Sequence, residues 1–256
     1  MHKEQYMRVA TFGSCLSRFV GNNFTYLFGG QIVSSVYHNR SDVYAGRFID
    51  NTVPELQPAE IADKLKVVSD SASIDNNANT IIDNQVRNLH GKHRLRRGIP
   101  FLDLVEQKGA DLVIFDNYMD MSARLLTIEG TSEGSRWFIR PDDLKEPGKG
   151  QPGELLSPEQ GVESTLKIIG HVQSTMPDAQ IVFCNFPHNT YHANPDRIAR
   201  AKRYEALMSE QADGSFLVIP CLDVPKKYQT HERQHYKHEM YCGYAGIVWS
   251  HINRLS

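Results

Sequence analysis

The stretch Arg8-Val-Ala-Thr-Phe-Gly-Ser-Cys-Leu-Ser-Arg18 decides the fold. Arg8 to Phe12 is a short β-branched and aromatic run that stops at Gly13. Behind it Leu16, Phe19, Val20, Phe24 and Leu27 recur at helical spacing, so a helix opens just after the glycine. Working outward, the same alternation returns. Gln31–Val36, Gly109–Phe115, Ala179–Cys184 and Ser215–Ile219 read as strands. Ser157-Pro158-Glu159-Gln160 carries an N-cap, a proline at the first helical position and a capping-box Gln, and Val162, Leu166, Ile169 and Val172 continue that helix. Asn194-Pro195-Asp196 caps a second helix through Tyr204 and Met208. Tyr241, Tyr244, Ala245, Val248, Trp249 and Ile252 form the stripe of a closing amphipathic helix. Strands alternating with helices predict an α/β fold with a mostly parallel sheet covered on both faces. Two segments fall outside the alternation. Residues 50–100 are polar, Asn/Asp-rich and weakly patterned, and are expected to be helical in part. Residues 122–156 are rich in Gly and Pro and read as an insertion, in the manner of a lid, within a single domain spanning 1–256.

Composition narrows the function classes. The 256 residues hold 28 Lys+Arg against 30 Asp+Glu, a formal charge of −2, with 40% hydrophobic and 23% charged residues. That balance argues against a broad grip on nucleic acid or an anionic membrane, although Lys92–Arg97 is a local basic run. No apolar stretch approaches the roughly 20 residues of a transmembrane span. Met1 to Arg8 lacks the apolar core of a signal peptide. Cys15, Cys184, Cys221 and Cys242 are widely spaced, with no Cys-x-x-Cys pair. The expectation is a cytoplasmic chain with reduced thiols.

Three features carry chemistry. Cys15 follows a strand, a glycine and a small residue, at the edge of the sheet where ligands bind in open α/β folds. At a helix start the partial positive charge favours thiolate over thiol. The His-rich stretch Thr230–Glu239 lies before the closing helix, so it too can reach that edge. There Glu232 can orient His235 as a general base toward Cys15. His231, His235 and His238 with Glu232 and Glu239 have spacings that suit a metal, but no further ligand cluster supports one, and no metal is expected. Asp116-Asn117 follows the most apolar strand, where the Asn117 amide can face a developing oxyanion or simply make a turn.

Order and spacing of these features resemble the SGNH, or GDSL-type, hydrolases. Gly13-Ser14-Cys15-Leu16-Ser17 is similar to Gly-Asp-Ser-Leu-Ser, with Cys15 in the nucleophile position. Phe115-Asp116-Asn117 stands where that family has Gly-x-Asn-Asp, and Glu232-Arg233-Gln234-His235 where it has Asp-x-x-His. Gly46 is the candidate for the remaining glycine block. The Gly-Ser-Cys form, with the His235-Tyr236 pair before a helix, is also similar to Gly-Asn-Cys proteins of capsular polysaccharide biosynthesis, which are proposed acetyltransferases. The resemblance implies a three-layer α/β/α, flavodoxin-like fold.

It further implies acyl transfer with Cys15 as nucleophile, His235 as base, Glu232 orienting the ring and Asn117 holding the oxyanion. Ser14, Ser17, Arg18, Asp116, Gly46 and Tyr236 are the expected substrate contacts, Arg18 through a phosphate or carboxylate unless it lies on the helix surface. The expected partners are a small acyl donor, with coenzyme A as its carrier, and a carbohydrate acceptor. Ester or thioester hydrolysis and a non-catalytic descendant remain the competing readings.

Overall fold

The structure is a computed structural model that describes residues 6–66, 78–86, 98–191 and 194–255. The basic run Lys92–Arg97 lies outside the described residues. Five parallel strands make the main sheet: β1 (Arg8–Gly13), β2 (Gln31–Tyr37), β3 (Leu112–Asp116), β6 (Gln180–Cys184) and β7 (Leu217–Ile219). Their spatial order is β2-β1-β3-β6-β7. Leaving aside the separate antiparallel pair β4 (Leu126–Ile128) and β5 (Gly150–Pro152), this is the flavodoxin-like order 2-1-3-4-5. The chain reverses direction across the sheet between β1 and β3, so a crevice opens beyond the carboxyl ends of those two strands.

Period-2 alternation sorts the strand residues between two cores. Ala10, Phe12, Val113, Phe115, Ile181 and Phe183 face one side, while Val9, Leu112, Ile114, Val182 and Cys184 face the other. The first side is covered by α2 (Ser41–Phe48), α5 (Phe101–Glu106), α7 (Pro158–Thr175) and α8 (Pro195–Gln211), through Tyr44, Phe101, Val162 and Tyr204. The second is covered by α1 (Cys15–Phe28) and α9 (His238–Leu255), through Leu16, Val20, Phe24, Tyr244 and Val248. The α/β/α sandwich expected from the alternation is therefore what forms. Both caps read from the sequence are made: Ser157 Oγ accepts the Gln160 N–H at 3.2 Å, and Asn194 Oδ1 accepts that of Arg197 at 3.0 Å.

The sequence pattern left out α2, α5 and the short α6 (Tyr118–Ser122), whereas α3 (Ala59–Ala62) and α4 (Ala78–Asp83) fall in the segment 50–100 expected to be helical in part. Segment 122–156, expected as a lid-like insertion, contributes Leu126, Ile128, Trp137, Ile139 and Leu144 to a third buried cluster. Leu56, Ile61, Leu65 and Ile82 complete it. It is a small packed lobe built around the fully buried Trp137, because two chain segments that are each too polar to bury themselves pool their apolar residues.

One polar network ties four helices together on the first face. The buried Asp120 of α6 accepts the Ser41 N–H at 2.8 Å, the Ser41 O–H at 2.7 Å and the Tyr204 O–H at 2.9 Å. Thr165 of α7 lies 2.9 Å from the Tyr204 hydroxyl. Burial raises the Asp120 carboxyl to about 6, against the opposing pull of the hydrogen bonds from Ser41 and Tyr204. A carboxyl raised in the native state holds a proton that the unfolded chain has already released. Its contribution to stability is therefore complete below the ordinary value of 3.8 and is lost as pH rises through about 6. Replacing Asp120 by Asn is expected to flatten this part of the profile. Urea unfolding between about pH 4 and 7 checks it, with a difference in slope amounting to at most about 3 kcal/mol.

Candidate active site

At the carboxyl end of β1 the chain turns through Gly13, whose φ is +140°. A Cβ at Gly13 would stand 2.6 Å from Asp116 Oδ2 and 2.7 Å from the Asp116 carbonyl oxygen, so only glycine fits. Asp116, at the end of β3, is the reason for the close approach. Its Oδ2 accepts the N–H groups of Ser14 at 2.7 Å and Ser17 at 2.9 Å, and its Oδ1 accepts that of Tyr118 at 2.9 Å. Ser14 caps α1 by accepting the Leu16 N–H at 3.1 Å, and the fully buried Ser17 donates its hydroxyl to the Ser14 carbonyl at 3.2 Å. Ser14, Ser17 and Asp116, expected as substrate contacts, thus have their polar atoms spent on holding the turn. The turn makes Cys15 the first residue of α1, half-buried at the sheet edge. Asp116 also answers two of the helix's leading N–H groups with a negative charge, which offsets the positive end of the helix.

The segment between β7 and α9 carries an imidazole paired with a carboxylate. Thr230 Oγ1 lies 2.9 Å from the carbonyl oxygens of both Glu232 and His235 and accepts the Glu232 N–H at 3.2 Å. That organises the loop so that the Glu232 carboxylate hydrogen-bonds His235 Nδ1. The pair fixes the ring and leaves Nε2 turned away from the carboxylate. The His235 ring packs edge-on to Phe19, with centroids 6.1 Å apart, and Phe19 lies one helical turn beyond Cys15 on α1. Tyr241 of α9 closes the group, 4.9 Å from Phe19. Its hydroxyl accepts the Tyr236 N–H at 3.0 Å. Burial above all pushes its pKa upward, opposed by the hydrogen bond from the Tyr236 N–H and reinforced by the nearby Cys15, Asp116 and Glu232. One hydroxyl therefore lies within electrostatic range of all three side chains.

Asn117 is 2% exposed and held at both ends of its amide. Its Oδ1 accepts the Phe186 N–H at 2.8 Å and its Nδ2 donates to Asn185 Oδ1 at 3.2 Å. Asn185 in turn donates to the Ile219 carbonyl at 3.1 Å. Sequence reasoning passed over Asn185, Thr230, Phe19 and Tyr241. The signal for Asn185 was its position directly after β6, matching that of Asn117 after β3. Tyr236, expected to touch substrate, is instead a core residue, 5% exposed and packed on Phe186 and Tyr241. Gly46 lies inside α2 and not at a strand end. A Cβ there would meet Val53 Cγ2 at 2.5 Å, so its role is close packing of the chain returning from α2. Arg18 is buried, with its guanidinium carbon 5.9 Å from the Tyr37 ring centroid, and so is not a surface residue of the helix.

Among the described residues, the group that gathers three metal-type donor atoms is not the His-rich stretch, where the His231 side chain is 90% exposed. It is His188, Glu205 and Cys221, whose donor atoms lie within 4.8 Å of one another. A cavity of about 320 Å³ opens elsewhere, among Arg40, Asp42, Arg136 and Glu154, and includes none of the residues singled out above.

No protein-family model matches the chain, and no curated protein does. Solved structures resemble it weakly. A family two carbohydrate esterase from Clostridium thermocellum aligns with 97% of this chain and 63% of its own at 8% identity and a TM-score of 0.46. The acetyl xylan esterase Est2A from Butyrivibrio proteoclasticus aligns over 97% and 64% at 10% identity, again with a TM-score of 0.46. A carbohydrate esterase family 2 enzyme with a carbohydrate-binding domain from Corynascus thermopiles (Myceliophthora fergusii) gives 96% and 65%, 9% identity and a TM-score of 0.42. This chain spans less than two thirds of each of those proteins. No residue role passes from them to this chain.

The Gly13 turn gives a direct test of how the site is held. Gly13→Ala combines a disfavoured φ with a clash against Asp116, and is expected to cost at least about 2 kcal/mol of stability. Denaturant unfolding would show it, and an unchanged midpoint would contradict the clamp.

Proposed function

We propose that the chain transfers an acyl group through Cys15, from an ester or thioester donor such as an acyl-coenzyme A to a hydroxyl of a carbohydrate acceptor. The observation that carries this reading is the convergence of a sheet-edge cysteine with a Glu232-oriented imidazole around Phe19 and Tyr241. His235 Nε2 takes the thiol proton, and the Cys15 sulfur bonds to the donor carbonyl carbon. The oxyanion accepts the hydrogen of Asn117 Nδ2 that is not given to Asn185. Collapse expels the donor's alcohol or thiol, which takes the proton back from His235. The acceptor hydroxyl then reverses the sequence, with His235 as base again, and releases Cys15. An acyl thioester is a more reactive intermediate than the oxygen ester a serine would form, which suits passing the acyl group to a second substrate.

Incubation with acetyl-coenzyme A, with and without a sugar acceptor, tests this. Coenzyme A release that requires the acceptor is expected, and release without one assigns hydrolysis. Cys15→Ala should abolish turnover and covalent acylation seen by intact-protein mass spectrometry. His235→Asn should slow turnover by on the order of 10²–10⁴ at unchanged thermal stability. Full activity of either variant overturns the assignment.

A further inference from the structure

Arg18 presents a physical anomaly beside the proposed nucleophile. It is 6% exposed, yet its Nε has no hydrogen-bond partner, and no ion pair or hydrogen bond joins its guanidinium to another of the described residues. Other buried arginines in the chain are bound. Arg40 pairs with Asp42 at 2.7 Å, and Arg47 donates to the Arg136 carbonyl at 2.9 Å. Arg18 has only the Tyr37 ring, with its guanidinium carbon 5.9 Å from the centroid, a cation–π contact near the outer limit of that interaction. Taking a cation out of water without a counter-charge is costly, and a fork of five donors matches a carboxylate or phosphate in a bidentate manner.

Position gives the anomaly its meaning. Arg18 follows Cys15 by three residues on α1, a spacing that puts the two side chains on one face with Cβ atoms roughly 5–6 Å apart. Tyr37 is the last residue of β2, so the guanidinium lies at the carboxyl edge of the sheet, beside the β1–β3 crevice. Asp116, the carboxylate at the end of β3, is already committed to three backbone N–H groups. A buried cation thus stands near Cys15 with no anion paired to it among the described residues.

We propose that Arg18 is the receptor for an anionic group, carboxylate or phosphate, carried within a few bonds of the carbonyl that acylates Cys15. This deepens the acyl-transfer reading and rests on it. Substrates of the site are then anionic esters or thioesters, and a neutral donor of the same size is a poor one.

Two alkylating reagents of equal size and different charge read this out. Iodoacetate and iodoacetamide both react by the same step: the Cys15 sulfur forms a bond to the methylene carbon, iodide leaves with the electron pair, and the thiol proton passes to His235 or solvent. On a free thiol such as N-acetylcysteine the neutral reagent is the faster. On the native protein the iodoacetate-to-iodoacetamide rate ratio at Cys15 is expected to exceed the free-thiol ratio by tenfold or more. Arg18→Gln should return it to the free-thiol value, while Arg18→Lys keeps part of the preference. A native ratio equal to that of N-acetylcysteine overturns the proposal.

Because the glutamine variant removes an unpaired buried charge, it is expected to melt no lower than wild type. A large drop in melting temperature would instead reveal a structural partner and overturn the assignment. The nitrogen-15 Nε–H signal of Arg18, titrated with inorganic phosphate in wild type and in Cys15→Ala, separates the two layers of the argument. Saturable shifts in both proteins are expected, and their absence overturns the anion site. Cys15 inert to both reagents, with phosphate still bound at Arg18, overturns the nucleophile reading and the pairing of the two residues.

Discussion

Asp116 holds the site together. Three backbone N–H groups, two from the start of α1 and one from the start of α6, converge on its carboxylate, so the end of β3 is bolted to the end of β1. The interaction is charge-assisted and buried, which makes it both strong and geometrically demanding. Everything that places Cys15 follows from it: the glycine-only turn at Gly13, the Ser14 cap and the direction in which α1 leaves the sheet. Parallel strands whose ends are joined this way leave a crevice of fixed shape above β1 and β3. The cost is electrostatic, because the clamp sets a negative charge against the helix terminus that would otherwise favour a thiolate.

The same economy of buried polar groups recurs on both faces of the sheet. Asp120 gathers donors from α2 and α8, and Asn117 and Asn185 link the ends of β3, β6 and β7. In each case a short polar side chain at a strand or helix end satisfies backbone groups that the sheet edge would otherwise leave unpaired. Satisfied networks of this kind make the framework rigid. Arg18 differs in that its guanidinium is buried with no hydrogen-bond or ion-pair partner among the described residues, and the proposed anion site rests on that contrast.

The main elements were legible in the sequence wherever one face of a helix or strand carried enough apolar residues to announce itself. The stripe of α9 is of that kind, and β3 and β6, buried on both faces, announce themselves as continuous apolar runs. Short α2 was not, since Ser41–Phe48 spans barely two turns and four of its six buried residues are polar or small. The lobe around Trp137 was not either, because its apolar residues come from segments more than 40 positions apart, and neither has a readable period. Cys15 and His235 could be singled out by residue type and by their place between elements. The same reasoning misassigned Tyr236 and Gly46, whose burial depends on neighbours far away in the chain.

By itself the sequence determined the α/β class and the strand–glycine–cysteine–helix junction, because local periodicity, capping and turn chemistry act over a few residues. Only the tertiary structure decided what each polar side chain does. It turned Ser14, Ser17 and Asp116 into a clamp, brought Glu232 and His235 to the Phe19 face of α1, and buried Arg18 with no counter-ion among the described residues. Those outcomes depend on which chain ends meet across the sheet, and hydrogen bonds between residues about 100 positions apart leave no local pattern to read.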